Sequence, residues 1–591
     1  MFFSLRFCGA IGSKILALFA MCVAVPASTQ TAPAVTNLHA LQHDGQTFMT
    51  WTDAATGHSG ENYRYDVYRS TVGPIRDLNQ AKLVQKGIYN NSAQLIGPKP
   101  FSQATRQNAA LPMSKIQNDG AALPVWSGLA VCTNAETASA YYAVITRDVT
   151  NAQQPSSLST SNSLAISVQE SPAPIAPVLQ VSNSASSRRP SCCSISGGTK
   201  LPLWLRLHGS GGSAVPWGDL QAYWGDPMMG YQDGIQSIFA LYEDHSGSAF
   251  ARGGVRKLIM TPQDAVWSMD GNSGSETYWY GYKVLPTFAK DRKPQVYPFT
   301  QAKLALILPW AIRHYSADPN RVYGISESMG GYGQIEWSLR HSELFAAIFM
   351  RIPILGPWLH IPSLIDVTPT GLPKTVATPT DTLPDGTLYD KDTDIVAWLA
   401  RDCSRSLPYV SWSSGRNDVG VSNHRMWTYA VQLANALRVC HYGFSFVWSN
   451  GKHESATAAL ENTLLEQYQT VFARNISYPA FTNFSLDSDY GHGDPADGTL
   501  AGCVNCGWQW KIITDTAASW SASLANVQVT KHSTTEVTPR NTQLFRVPPG
   551  TSKNWSTSTG QKGLVVADSY GLVTVKEVEI LPGSETVLTI Q

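Results

Sequence analysis

Ser328 lies in Arg321-Val322-Tyr323-Gly324-Ile325-Ser326-Glu327-Ser328-Met329-Gly330-Gly331-Tyr332-Gly333, where an apolar run ends among small residues. That pattern predicts a strand running into a tight turn with Ser328 at its tip. The turning residue must hold a strained backbone, and bulky neighbours two positions away would collide with the helix that follows. A serine hydroxyl exposed in this way attacks an electrophilic carbon once a base takes its proton. Ser326 stands where the Gly-x-Ser-x-Gly pattern has its first glycine, and serine is small enough for the turn. Ser326 is also a rival nucleophile, but Met329-Gly330 sets the small-residue frame around Ser328.

The base and the acid are expected downstream. Leu407 to Trp412 reads as a strand ending in Ser413-Ser414-Gly415-Arg416-Asn417-Asp418. A helical stretch from about Arg425 to Arg438 leads to the strand Phe444 to Trp448, then to Ser449-Asn450-Gly451-Lys452-His453. An acid after one strand and a histidine after the next would meet beside Ser328, in the chain order Ser, Asp, His. His453 would take and return the serine proton while Asp418 orients the imidazole. His424 and Asp394 are the nearest rivals. Upstream, the strand Leu203 to Leu207 ends in His208-Gly209-Ser210-Gly211-Gly212-Ser213, a turn of bare backbone. The amides of Ser210 and Met329 are the expected oxyanion donors. A phosphate cradle would need a Lys-Ser/Thr ending that this turn lacks. Trp217, Trp224, Trp267, Tyr278-Trp279-Tyr280 and Tyr282 crowd the same region; Trp217, Trp267 and Trp279 are the expected substrate contacts. This chemistry needs no cofactor and no metal.

The elements that must position these residues follow from hydrophobic periodicity. Between about 178 and 478, short apolar runs alternate with helical stretches such as Lys303 to His314, which predicts a mostly parallel sheet with helices on both faces. From 28 to 170 the pattern is short alternating strands, with a long insertion from about Val72 to Leu129. Residues 171–177, Ser-Pro-Ala-Pro-Ile-Ala-Pro, read as a stiff linker. From 479 to 591 the texture is again β-rich. The expected fold class is therefore multidomain: a central α/β unit flanked by two β-sandwich-like units.

Two resemblances attach to these segments. With a Trp on an early strand and paired Tyr on a late one, 28–170 resembles a fibronectin type III module. Asp318-Pro319-Asn320-Arg321-Val322-Tyr323 leading into Ser326-Glu327-Ser328-Met329-Gly330-Gly331 resembles secreted serine esterases of the α/β-hydrolase superfamily. Among these it is similar to polyhydroxybutyrate-depolymerase-like and feruloyl or acetyl-xylan esterase-like enzymes. The resemblance spans about Leu203 to Ser455 and implies hydrolysis of carboxylic esters through an acyl-enzyme, without a cofactor. Ser326 and the long span between Ser328 and Asp418 depart from the compact members. Residues around Pro353 to Leu399 are expected to form an insertion over the site. The competing readings are a serine peptidase of the prolyl-oligopeptidase kind and a non-catalytic polysaccharide-binding or adhesion protein on a hydrolase scaffold.

Composition narrows the partners. Lys plus Arg and Asp plus Glu both number 43, so no basic field exists to gather nucleic acid. The expected partner is an ester substrate, polymeric esters included. Arg6 and Lys14 precede an apolar run from Ile15 to Val25 and then Val25-Pro26-Ala27, which reads as a secretory signal over 1–27. The run is well short of the ~20 residues that span a bilayer. After loss of Cys8 and Cys22 with the leader, an odd set remains: Cys132, Cys192, Cys193, Cys403, Cys440, Cys503 and Cys506. If the strands after Cys403 and Cys440 are parallel neighbours, a disulfide could tie their starting ends. Cys503 and Cys506 read as a crosslink or two free thiols. Asp487, Asp489, Asp494 and Asp497 form an acidic loop that lacks the spacing of a calcium site and is expected to be a solvated turn.

Overall fold

Strands rich in apolar residues on both sides are stable only where both faces of a sheet are covered. The computed structural model describes residues 30–56, 62–89, 115–124, 126–148, 150, 152–176, 178–179, 200–209, 220–224, 235–244, 257–262, 264, 266–267, 274–275, 278–284, 295–355, 363–364, 380–383, 385–419, 426–453 and 471–591. The expected leader lies outside these residues. Among the described residues no helix is long and apolar enough to cross a membrane.

Among the described residues the central sheet has ten strands: β1 (Val178–Leu179), β2 (Leu203–Leu207), β3 (Leu220–Trp224), β4 (Ile235–Asp244), β5 (Lys257–Pro262), β6 (Val322–Glu327), β7 (Ala347–Arg351), β8 (Tyr409–Gly415), β9 (Phe444–Ser449) and β10 (Gly502–Val504). Their spatial order is β10-β9-β8-β7-β6-β2-β5-β4-β3-β1. From β9 through β5 every neighbouring pair is parallel, and both margins are antiparallel. Three long helices, α1 (Phe299–His314), α2 (Met329–Arg340) and α3 (Met426–Val439), bury apolar residues in one core with Leu203, Leu205, Leu207, Val322, Ile348, Val410 and Phe446. The alternate residues Trp204, Tyr323, Phe349, Tyr409 and Val447 face the other way. Helices were expected there too. Among the described residues that second face is covered by Phe472, Tyr478, Ala480, Cys506 and Trp510, which belong to the chain after the last parallel strand.

The N-terminal region forms a three-stranded sheet (Thr36–His43, Gln46–Thr52, Ser127–Thr133) and a four-stranded one (Lys82–Tyr89, Tyr63–Ser70, Ala138–Asp148, Val168–Glu170). They share a core in which the Trp51 and Tyr65 rings meet edge-on, 5.5 Å apart. Lys82–Tyr89 lies inside the expected insertion yet pairs with Tyr63–Ser70, so part of that span is sheet. The last strand of this region begins only at Val168, and Ile166 just before it is exposed.

The C-terminal region has a three-stranded sheet (Tyr478–Thr482, Ser533–Arg540, Val575–Ile580) and a five-stranded one that share a core around Trp508, Trp520, Val537 and Leu588. Tyr478, last in the expected central segment, opens the first of these sheets. Gly502–Val504, inside the expected C-terminal segment, is β10, paired with β9 at Phe446, Val447 and Trp448.

Disulfides join Cys403 to Cys440 and Cys503 to Cys506, while Cys132 is buried and free. The first ties the chain entering β8 to the chain entering β9, and these strands are parallel neighbours. Closing a loop of 37 residues restricts the unfolded chain. Replacing both Cys403 and Cys440 with Ser is expected to cost about 2–4 kcal/mol, read as a lower urea midpoint at unchanged slope.

Candidate active site

β6 runs up the middle of the sheet between β2 and β7, and α2 starts one residue after it ends. Ser328 is the joint, with φ 55° and ψ −119°. A side chain in this region is strained by about 1–3 kcal/mol, so the surroundings must hold it. They do so from both sides of its peptide: the Ser328 N–H donates to Arg351 O (3.0 Å), and its carbonyl accepts from Gly331 N (2.9 Å) and Ile354 N (3.0 Å). The small residues after it are spatial necessities. A Cβ on Gly330 would lie 2.1 Å from Leu207 O, and one on Gly331 would lie 2.5 Å from Pro353 Cβ. Ser326, the rival, is buried inside β6, and its hydroxyl has no hydrogen-bond partner.

Ser328 Oγ lies 2.7 Å from His453 Nε2, and His453 Nδ1 lies 2.6 Å from Asp418 Oδ2. An ionised carboxylate only accepts, so Nδ1 carries the proton and Nε2 is left as acceptor for the serine hydroxyl. Asp418 is buried while His453 is about a third exposed. Two strand-end loops bring them together. Arg416 N donates to Ser449 O (2.9 Å), Asn417 N to Gly451 O (2.9 Å), and Asn417 Nδ2 to Asn450 O (2.8 Å). Gly415 leaves room for this approach, because a Cβ there would be 2.6 Å from both Gly451 O and Lys452 O. Such a relay can draw a proton from the serine and hold the resulting imidazolium.

The turn after β2 rises beside the serine: a Cβ on Gly209 would sit 3.4 Å from Ser328 Cβ. Met329 opens α2, where the first amides have no partner within the helix. Ser210 and Trp217 lie outside the described residues, as does His424. Trp224, Trp267 and Tyr282 lie in strands whose side chains are not described. Trp279 was expected to meet substrate but is wholly buried, with its indole N–H donating to His208 O (3.1 Å) and its main-chain N–H to Asp264 Oδ2 (3.1 Å). The Asp264 N–H donates to His208 Nε2 (3.2 Å), so His208 Nδ1 carries the proton and donates to Gly209 O (2.8 Å). Trp279, Asp264 and His208 thus form a bracket behind the turn. Sequence reasoning missed Asp264, which no motif marks.

Asp394 caps the short helix Ile395–Ala400 by accepting from Ala397 N (2.9 Å). Part of the expected insertion is described: Ser363–Leu364 pairs with Lys283–Val284, and Tyr280 Oη donates to Asp392 Oδ2 (2.5 Å). Among the described residues no three His, Cys, Asp or Glu side chains cluster to hold a metal ion. In the acidic loop the carboxylates turn to the chain itself. Asp489 accepts from Gly491 N, Asp494 from Ala496 N, and Asp497 pairs with His492 at 2.6 Å.

The parallel sheet, the left-handed Ser328 at the β6–α2 joint, and Asp418 and His453 in the loops after β8 and β9 have the arrangement of an α/β-hydrolase fold. No family model matches the chain, and no curated protein matches it. Among solved structures it is similar to a ferulic acid esterase, with 14% identity over 46% of this chain and 83% of that one, at a TM-score of 0.26. An S-formylglutathione hydrolase from Agrobacterium tumefaciens is 14% identical over 45% and 81%, at 0.26. A Bacillus cereus carboxylesterase is 15% identical over 46% and 91%, at 0.24.

Desolvation pushes the Asp487 carboxyl up to about 7, against the Asn505 N–H that donates to it at 2.7 Å. The unfolded chain ionises this group first as pH rises from about 4. The stability it contributes is therefore full below that pH and lost as pH rises through about 7. Asp487→Asn keeps an acceptor for Asn505 and removes the charge. Its thermal midpoint is expected to exceed the wild-type value at pH 8 and to converge with it only below about pH 4; parallel pH curves would contradict this.

Proposed function

We propose that the protein is a secreted serine hydrolase that cleaves carboxylic esters, with Ser328 as nucleophile, His453 as general base and Asp418 as the orienting acid. The observation that carries this reading is the unbroken Ser328–His453–Asp418 relay, 2.7 and 2.6 Å long, at the carboxyl ends of three strands of the parallel sheet, β6, β8 and β9. Secretion is supported by the leader-like N-terminus and by the two disulfides.

In the proposed reaction Ser328 Oγ bonds to the ester carbonyl carbon as His453 Nε2 takes its proton. The carbonyl oxygen becomes an oxyanion that accepts from the Met329 N–H and, from the turn after β2, the Ser210 N–H. As the carbon–oxygen bond to the alcohol breaks, the imidazolium gives its proton to the departing oxygen. Water then enters, loses a proton to His453 and attacks the acyl-enzyme; Ser328 leaves and recovers its proton. Asp418 stays ionised and stabilises the charged imidazole. The three-plus-four strand arrangement of the N-terminal sheets supports the reading of that unit as fibronectin type III-like, and such a flanking unit suits a polymeric substrate such as a polyester or acylated polysaccharide.

Wild-type protein is expected to label with a fluorophosphonate and to hydrolyse p-nitrophenyl acetate, as is Ser326→Ala. Ser328→Ala is expected to lose labelling and at least about 1,000-fold in kcat. Faster turnover of matched amides than of esters would favour the peptidase reading, and unreactive wild-type protein a binding role. Activity is expected to fall on the acid side of neutrality, where a protonated His453 cannot accept the serine proton.

A further inference from the structure

Arg416 is wholly buried, although its side chain carries a full charge. It lies two residues before Asp418 in the turn that leaves β8. Its guanidinium donates to the carbonyls of Pro495 (2.7 Å), Asp497 and Thr499, all in the loop that leads into β10. It also lies over the Trp427 ring, 5.2 Å from the centroid. Thr499 O accepts from the Trp448 indole as well (2.8 Å), so β9 grips the same loop. Among the described residues no carboxylate pairs with Arg416, and its Nε–H has no hydrogen-bond partner.

A guanidinium taken from water without a counter-ion is a poor source of stability, since carbonyl dipoles return only part of its lost hydration. What the arrangement supplies is geometry. The acid's turn is tied on one flank to the histidine's loop by main-chain bonds at Arg416 and Asn417, with Gly415 leaving room for the close approach. Its other flank is held by the Arg416 side chain, whose rigid fork of donors reaches three carbonyls at once. A lysine has one nitrogen and cannot span them.

We propose that Arg416 is a positioning residue for Asp418, through which the 495–499 loop of the C-terminal region completes the site. The kinetic consequences rest on the serine-hydrolase reading; the consequence for the Asp418–His453 hydrogen bond does not. With Arg416 removed, the turn keeps its bonds to the histidine's loop and the Met426 N–H on Asp418 O (3.2 Å) but loses its tie to the 495–499 loop. A displacement of about 1 Å at a reacting constellation costs on the order of 100-fold in rate.

The test uses the full chain and four variants: Arg416→Met, Arg416→Lys, Asp418→Asn and Arg540→Met. Arg540 is the comparison because it too is buried and crosses to the central unit, donating to Cys403 O (3.1 Å) and Arg405 O (2.6 Å), but away from Asp418. Two quantities are read on folded protein: kcat and KM for p-nitrophenyl acetate, and the far-downfield NMR resonance of the His453 Nδ1 proton. Arg416→Met is expected to lose about 100-fold in kcat with KM within about twofold, and to lose or shift the proton resonance. Arg416→Lys should be intermediate, and it serves if the Met variant fails to fold. Arg540→Met should lower the thermal midpoint and leave resonance and kcat in place. In the Asp418→Asn background, Arg416→Met should cost less than about twofold more, because the two act as one unit. An unchanged resonance in Arg416→Met and Arg416→Lys, or a full additive loss on top of Asp418→Asn, would overturn the proposal. Wild-type protein with the resonance but no ester turnover would sink the hydrolase reading and leave Arg416 judged by the resonance alone.

Discussion

A serine with φ 55° between a central strand and a helix is the constraint on which the site depends. Such a backbone persists only where neighbours over-determine it. Here Arg351 O, Gly331 N and Ile354 N fix both ends of its peptide, and Leu207 and Pro353 crowd the glycines that follow. The strain is therefore carried by β2, β7 and the chain beyond β7 together. The same contact with Leu207 brings the turn after β2 beside the hydroxyl, so the elbow and the expected oxyanion turn are parts of one packing solution.

Behind that turn, polar groups with little room for error set the direction of the backbone. His208 accepts from one amide and donates to one carbonyl, which leaves it a single neutral tautomer. Trp279 fills the space behind it and also satisfies His208 O through its indole. An aromatic ring near a site can serve as a wall as readily as a platform, and full burial decides which.

The C-terminal region is built into the central unit. It supplies β10 beside the histidine strand and part of the cover for one face of the sheet. Two buried arginines cross the junction in opposite directions, Arg416 outward to the 495–499 loop and Arg540 inward to Cys403 and Arg405. Each spends its donors on carbonyls, which are spread along a loop and so register its path rather than a single point.

Local pattern made much of this legible. Periodicity placed β2, β6, β8, β9 and the helices α1 and α3 close to where they lie, because each element's apolar spacing is set by its own backbone repeat. The motif around Ser328 and the strand-end positions of Asp418 and His453 could be read for the same reason: each depends on the few residues around it. What the sequence by itself did not contain were relations between distant segments. Whether Trp279 is wall or platform, whether Asp264 reaches His208, which segment covers the second face of the sheet and where Arg416 ends all depend on chain far away in sequence. Those are settled by close packing, in which each buried polar group takes whichever partner the fold brings within about 3 Å.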